Sequence, residues 1–367
     1  PQLLPYPLSL LINPGIKGIS KSNKLNMGDV KIKDNLWVKT EIASTNGIHY
    51  IDRTNKIETY PAYNLPVRKA RKKNSLMLDI GTGWGRWLVA ASRKNYIPIG
   101  IDLKFEHAQS TLKTIRQHDV NGYVVVGDLQ DMPFQENLFD LVWSFSVIQH
   151  THFDKLTSCV EHVHRILAKS GKVKLEFPSK TGIRNKMKYG HLENDMDISS
   201  LHVRYYSIPE YMEIFKKHFA KVRTSVHSFL GIGVLPEDMK YVSMKNKPLV
   251  AISLISTFFA RIIPGLKYLA DSIYVKTEKP HGPQNTLIPH FLKHHWLKQN
   301  LNIVYLLQCP ISGGPVYLSK DAQYVISDNA GVKYPIIEEI PIMLKRAAIP
   351  MEKKRVPTEG YQVPDAG

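Results

Sequence analysis

The chain has 367 residues, 43% of them hydrophobic and 10% aromatic, which supports a buried core and two modest domains and excludes a disordered or fibrous protein. Its 49 Lys plus Arg against 32 Asp plus Glu give a formal net charge of +17, which favours anionic partners such as nucleic acid, a phospholipid surface or a phosphorylated substrate. The two cysteines, Cys159 and Cys309, make neither a disulfide framework nor paired metal knuckles, so a reducing cytoplasm is the expected compartment and no metal site is expected.

Residues 1–60 contain strand-like pieces without a consistent pattern, and their role stays open. The opening PQLLPYPLSLLINPG has no basic stretch ahead of its apolar run, so no signal peptide is expected. The basic run RKARKK at 68–73 then leads into the first strand, either as a solvated approach or as a polyanion contact. From residue 74 short apolar runs alternate with helical patterns. Strands are predicted over 76–80, 97–101, 123–126, 141–145 and 173–177, and helices over 87–94, 106–118 and 154–167. Such alternation implies βαβ units and a doubly wound, mostly parallel α/β sheet covered on both faces.

Beyond residue 177 the alternation weakens. A helix is predicted from Pro209, and KVRTSVHSFLG and IYVKTEK read as two late strands forming an antiparallel edge, with 231–272 inserted between them. Within that insertion 249–270 is apolar but interrupted by Arg261 and Pro264, so it does not span a bilayer. It reads as a core helix, a cover over an acceptor site, or a segment in peripheral contact with a membrane surface. EKPHGPQNT opens a linker over 280–299, after which Gly-Gly, Asp-Asn and Pro turns separate short β-prone pieces. The expected division is an N-terminal segment 1–60, a main domain 61–279, the linker, a small β-rich module 300–346 and a tail 347–367.

The first strand runs into LDIGTGWGRW, a strand, tight turn and helix with Gly81, Gly83 and Gly85 in the turn. Such turns admit positive φ and let a ligand approach main-chain N–H groups. The spacing is G-x-G-x-G rather than the dinucleotide G-x-G-x-x-G, and Asp79 stands two residues before the first glycine. An acid there opposes a pyrophosphate and suits the ammonium and sulfonium of S-adenosylmethionine. The second strand ends in Asp102, placed to accept from ribose hydroxyls, and the third in Val126-Gly127-Asp128-Leu129, where a carboxylate can accept from an adenine amine.

These motifs, with FDLVWSFSVIQHT and HRILAKSGKVKLEF after them, resemble the class I S-adenosylmethionine-dependent methyltransferases over about 74–180. The resemblance implies a Rossmann-like fold and S-adenosylmethionine as cofactor. It also implies cofactor contacts at Asp79, Gly81, Gly83, Gly85 and Leu103, with Asp102 on the ribose, Asp128 and Leu129 on adenine, and Phe145 beside the methionine part. LLQCPISGGPVYL with YPIIEEIPIML resembles the zinc-ribbon-like domain that activates methyltransferases. Ser312 stands where the partner of Cys309 would be, so the module is expected to fold without zinc and to pack on the main domain.

A hydroxyl acceptor needs a base, and His150 on the rim after the fourth strand is the candidate, against the alternative that it packs or caps the next helix. His162 and His164 fall on different faces of one helix and make no metal site. No Asn-Pro-Pro-Tyr-like stretch follows the fourth strand, which favours oxygen or carbon acceptors on a small-molecule, lipid-linked or glycan substrate. An RNA methyltransferase and a catalytically inactive cofactor-binding scaffold remain as alternatives.

Overall fold

Apolar runs too continuous for a surface become the strands of one central sheet. In the computed structural model, residues 30–33, 35–44, 51–72, 74–189, 204–282 and 300–351 are described. The predicted linker from 283 to 299, the tail from 352 and residues 1–29, 34 and 45–50 of the N-terminal segment lie outside them. β1 (Ser75–Ile80), β2 (Tyr96–Asp102), β3 (Tyr123–Gly127), β4 (Phe139–Ser144) and β5 (Leu167–Pro178) are mutually parallel. β1 and β3 are buried at every position, as strands covered on both faces must be. α2 (Arg86–Ser92), α3 (Phe105–Gln117) and α4 (Phe153–Ile166) connect them. The doubly wound α/β architecture follows, with all five strands ending at one carboxyl edge.

β5 begins six residues ahead of the predicted strand at 173–177 and takes in a turn at residues 168–171. Ser170 takes a left-handed φ of 62° and the register against β4 shifts between Phe139 and Leu141, so the turn becomes an irregularity within a longer strand. α5 (Ile183–Tyr189) follows, and then α6 (Ile208–Lys216) starts at a capping box in which Ser207 and Glu210 satisfy each other's backbone N–H groups. β6 (Val222–Ser228) and β7 (Ser272–Glu278) pair antiparallel, and β7 pairs antiparallel with β5. Two reversals return β6 to the direction of β5, so the insertion between β6 and β7 leaves and rejoins the sheet at the carboxyl edge.

That insertion carries α7 (Lys247–Ile262), which is not a core helix: Val250 and Ser253 are its buried residues. At the other end of the chain, β8 (Tyr317–Leu318), β9 (Tyr324–Ser327), β10 (Val332–Ile337), β11 (Ile340–Met343) and β12 (Ile349–Pro350) form the small β-rich module. β11 lies parallel beside β3, pairing Ile342 with Val126 and Met343 with Gly127, so the module continues the central sheet. The order among the described residues is β6-β7-β5-β4-β1-β2-β3-β11-β10-β9-β8, with β12 on β10. Cys309 is buried with its sulfur 3.4 Å from the Tyr334 hydroxyl and accepting from the Ser312 N–H at 3.5 Å. Among the described residues no group of three or more side chains is placed to hold a metal ion.

The N-terminal segment acquires a position that its sequence did not reveal. α1 (Leu36–Ser44) and residues 57–65 pack Val38, Ile42, Tyr60 and Tyr63 against Trp84, Trp87 and Phe145. The Tyr63 hydroxyl donates to the buried Asp238 at 2.7 Å, joining this segment to the insertion before α7.

Candidate active site

β1, β2 and β3 deliver Asp79, Asp102 and Asp128 to the same edge, around the turn that holds Gly81, Gly83 and Gly85. Gly81 has φ of 73° and any Cβ there would overlap the Val147 side chain, so both backbone and space require glycine. Gly83, at φ of 54°, faces space with no protein atom within 4 Å of where a Cβ would stand. A ligand can therefore approach the turn at Gly83.

Asp79 is 1% exposed, and neither carboxylate oxygen has a hydrogen-bond partner. Thr111 donates to the Gly83 carbonyl at 2.8 Å, so the Thr82 hydroxyl, 3.2 Å from that of Thr111, either donates to Thr111 or turns toward Asp79 and offsets a little of its burial. Burial pushes the Asp79 carboxyl well above its usual range, Asp102 nearby adds to this, and the Arg86 guanidinium opposes it. A buried carboxylate without a donor is costly, and a cationic ligand would supply what it lacks.

Asp102 is held for its task. Its Oδ2 accepts from the Gly83 N–H at 3.0 Å and its Oδ1 from the Lys104 N–H at 3.1 Å, with His107 Nδ1 at 3.2 Å. Trp37 of α1 stacks on His107 with ring centroids 4.9 Å apart, so the N-terminal segment reaches this corner. Leu103 next to it is 46% exposed, an apolar side chain available to a ligand ring. Asp128 accepts from the Gln130 N–H at 2.9 Å and caps the short turn Leu129–Asp131. Phe145 is buried just beyond β4.

His150 is exposed on the short turn Ile148–His150 at the same edge. Arg204 fixes that turn: its N–H donates to the Gln149 carbonyl at 3.0 Å, its Nη1 to the His150 carbonyl at 3.2 Å, and its Nη2 lies 2.7 Å from His152 Nε2.

A second cluster was missed from sequence because its members come from distant segments. The Arg86 guanidinium lies over the rings of Trp87 and Phe145, 4.9 Å from each centroid, and 5.7 Å from that of Tyr63. Phe145 meets His227 of β6 edge-on at 5.1 Å, and His227 meets Tyr274 of β7 at 5.0 Å. Burial, then Lys174 and Arg86, push the His227 imidazole down to about 3, so it is neutral near pH 7. Glu176, buried at the end of β5, accepts from the Ser146 hydroxyl at 2.7 Å and from that of Ser272. Burial raises its carboxyl above the usual range, partly offset by those hydroxyls. Ser146 itself takes a left-handed φ of 57°, strain of a kind that concentrates at functional positions. The one sequence signal was the lone acid in the strand KVKLEF.

A family model described as a methyltransferase domain matches residues 77–171, which span β1 to β5 and all three acids. Over these residues the chain carries an S-adenosylmethionine-dependent methyltransferase domain. A UPF0434 protein of Ectopseudomonas mendocina is 47% identical over 49 residues, 13% of this methyltransferase and 80% of that protein, and a UPF0434 protein of Pseudomonas putida strain F1 is 49% identical over 43 residues. Over that stretch, its C-terminal module, the methyltransferase belongs with the UPF0434 family. Among solved structures, a chain of a complex containing the Haloferax volcanii Trm112 methyltransferase activator is 19% identical, covers 60% of this chain and 87% of its own, and superposes with a TM-score of 0.41. Haemonchus contortus phosphoethanolamine N-methyltransferase 2, in complex with S-adenosyl-L-methionine, is 21% identical over 66% of this chain and 56% of its own, with a TM-score of 0.44.

Proposed function

We propose that the protein methylates an oxygen or carbon of a small-molecule, lipid-linked or glycan acceptor bound against the wall that Phe145, His227 and Tyr274 form. The observation that carries the reading is the orphaned, buried Asp79 beside the open turn at Gly83, flanked by Asp102 and Asp128 on the next two strands. In this reading Asp79 and the turn hold the methionine end of S-adenosylmethionine, Asp102 and Leu103 the ribose, and Asp128 with Leu129 the adenine. When bound, S-adenosylmethionine supplies an electrophilic methyl group on a sulfonium, reached in line by the acceptor. Proximity and a dry, aromatic wall then account for much of the rate. Phe145, Trp87 and Tyr63 form that wall, with Arg86 held over their faces. His150 takes the acceptor proton from the rim. Neutral His227 and Glu176, held by Ser146 and Ser272, orient the acceptor from the other side.

An RNA acceptor has the +17 charge in its favour. The densest basic run, however, presents Arg68, Lys69, Arg71 and Lys72 at the amino end of β1, opposite the edge that carries the acids. Calorimetry with S-adenosylhomocysteine on the wild type and on Asp102→Ala tests the cofactor half of the reading. Loss of the carboxylate that orders Gly83 should weaken binding roughly tenfold or more, since hydrogen bonds to charged groups contribute about 1.5–3 kcal/mol. Equal affinity would sink it. Labelled cofactor incubated with cell-extract fractions tests the acceptor half: label in RNA rather than in small-molecule, lipid or glycan fractions would overturn it.

A further inference from the structure

α7 is inside out. At 3.6 residues per turn, Val250 and Ser253 occupy the side turned to the protein, with Ser256, Thr257 and Ala260 half-buried beside them. The Ser253 hydroxyl bonds the Phe229 backbone and donates to the Ile232 carbonyl at 3.0 Å, and Thr257 donates to the Ser253 carbonyl at 2.8 Å. The opposite side presents Ile252, Leu254, Ile255, Phe258, Phe259 and Ile262, all exposed, with Phe258 at 57% and Phe259 at 47%. Ile263, Tyr268 and Leu269 continue the apolar surface past the helix end. A soluble helix places these residues the other way round, and an exposed apolar patch of this extent marks an interaction surface.

Charge identifies what lies against it. From 239 to 270 the chain has no Asp or Glu, while Lys240, Lys245, Lys247, Arg261 and Lys267 precede, interrupt and follow the apolar run. The flanking acids, Asp238 and Asp271, are both buried. α5 adds to the same edge: the Asn185 amide donates to the Asp271 carbonyl at 2.9 Å, and beyond it Met187 is 82% exposed among Arg184, Lys186 and Lys188. Apolar side chains in a purely basic frame match an anionic phospholipid surface, whose headgroups meet the lysines and whose acyl boundary takes the Phe and Ile side chains. With 16 residues, α7 is about 24 Å long, short of the roughly 30 Å hydrocarbon core, and among the described residues no helix is long and apolar enough to cross a membrane. It lies along the surface.

We propose that α7 and the turn after it dock the enzyme on an anionic membrane, with the carboxyl edge of the sheet held toward the lipid. The insertion leaves β6 one residue after His227 and returns at Ser272, which bonds Glu176, so the docked surface adjoins the acceptor wall. This deepens the lipid-linked reading of the acceptor, on which its functional meaning rests, but the docking itself is a separate observable.

The test is flotation of the full chain with phosphatidylcholine vesicles, with and without phosphatidylglycerol. The wild type should float with the anionic vesicles and release as salt rises. Replacing both aromatics, Phe258→Ser with Phe259→Ser, should lower the partition coefficient roughly tenfold or more at an unchanged melting temperature, because it removes the largest apolar side chains that the lipid would take up. Lys245→Glu with Lys247→Glu should remove the preference for phosphatidylglycerol. No flotation of the wild type, or flotation indifferent to these variants, overturns the proposal. A melting temperature that falls in the double Ser variant overturns it too, by showing the face covered within the chain. So does a concentration-dependent dimer abolished by that variant, which would assign the face to a second copy. S-adenosylhomocysteine calorimetry on the same samples separates the two claims: binding without flotation sinks the docking alone, and flotation without binding sinks the methyltransferase site alone.

Discussion

Asp79→Asn should make the ligand-free protein more stable and the ligand-bound protein harder to form. The carboxyl is buried, lacks a donor and titrates well above its usual range, so the folded state holds its proton more tightly than the unfolded state does. The sign follows from linkage. Its contribution to stability is complete below the unfolded-state pKa of about 3.9 and is lost as pH rises toward the raised folded-state value. Each unit of that rise corresponds to about 1.4 kcal/mol, which Asn, unable to ionise, does not lose. The melting temperature of the ligand-free variant should therefore exceed that of the wild type near neutral pH, and the difference should vanish near pH 4. Binding behaves in the opposite sense. A cationic ligand beside Asp79 lowers its pKa and releases a proton, so wild-type affinity for S-adenosylhomocysteine rises with pH while that of Asp79→Asn is flatter. The variant should bind roughly 10- to 100-fold more weakly, the value of a charge-assisted hydrogen bond. Scanning fluorimetry and calorimetry across pH read both effects. A variant that melts lower and binds equally well at every pH would refute the assignment of Asp79 to the ligand.

His150→Ala should lower kcat by about 100-fold or more with little change in KM if its imidazole takes the acceptor proton. His227→Asn should instead change KM for the acceptor and leave the pH dependence near neutrality as it is, because that imidazole is neutral above about 3; pH-rate profiles of both variants decide this. Asn300→Ala removes an amide that donates to the Val124 and Glu339 carbonyls and accepts from the Val124 N–H, each at 2.8 Å. At about 1 kcal/mol per bond the loss is about 3 kcal/mol, measured by denaturant unfolding, and an unchanged midpoint would show that this junction contributes nothing.

The sheet was legible because its strands are short, wholly apolar and separated by amphipathic helices, a pattern few other folds produce. The predicted strand at 76–80 is β1 at Ser75–Ile80, and the predicted helix at 106–118 is α3 at Phe105–Gln117. The turn glycines and the three acids were legible for a related reason, since each falls at or beside the end of a strand. What sequence could not supply was anything made between distant segments. His227, Glu176, Arg86 and Tyr274 come from β6, β5, α2 and β7, and no local spacing links them. α1 carries no periodic apolar stripe, yet Val38 and Ile42 are fully buried, because its place is set by Trp84 and Trp87 and not by its own pattern. α7 stayed open between three readings because it has the composition of a core helix, and only its surroundings show that its apolar side faces outward.

The C-terminal module shows how such a non-local contact becomes functional. Fewer than 50 residues with no disulfide among them bury too little surface to be stable by themselves. β11 resolves this by pairing with β3, which would otherwise leave an open edge on the central sheet. β3 also ends at Gly127, immediately before the Asp128 loop, and the same contact grips that loop. Lys345 reaches Asp131 at 2.7 Å, Phe134 bridges to Leu307, and the Gln308 N–H donates to the Pro133 carbonyl at 2.9 Å. From the opposite side Arg165 of α4 donates to the Phe134 and Met132 carbonyls at 2.6 and 2.9 Å. The loop proposed to meet adenine is thus clamped between α4 and the module, so whatever loosens the module also loosens the cofactor end of the site.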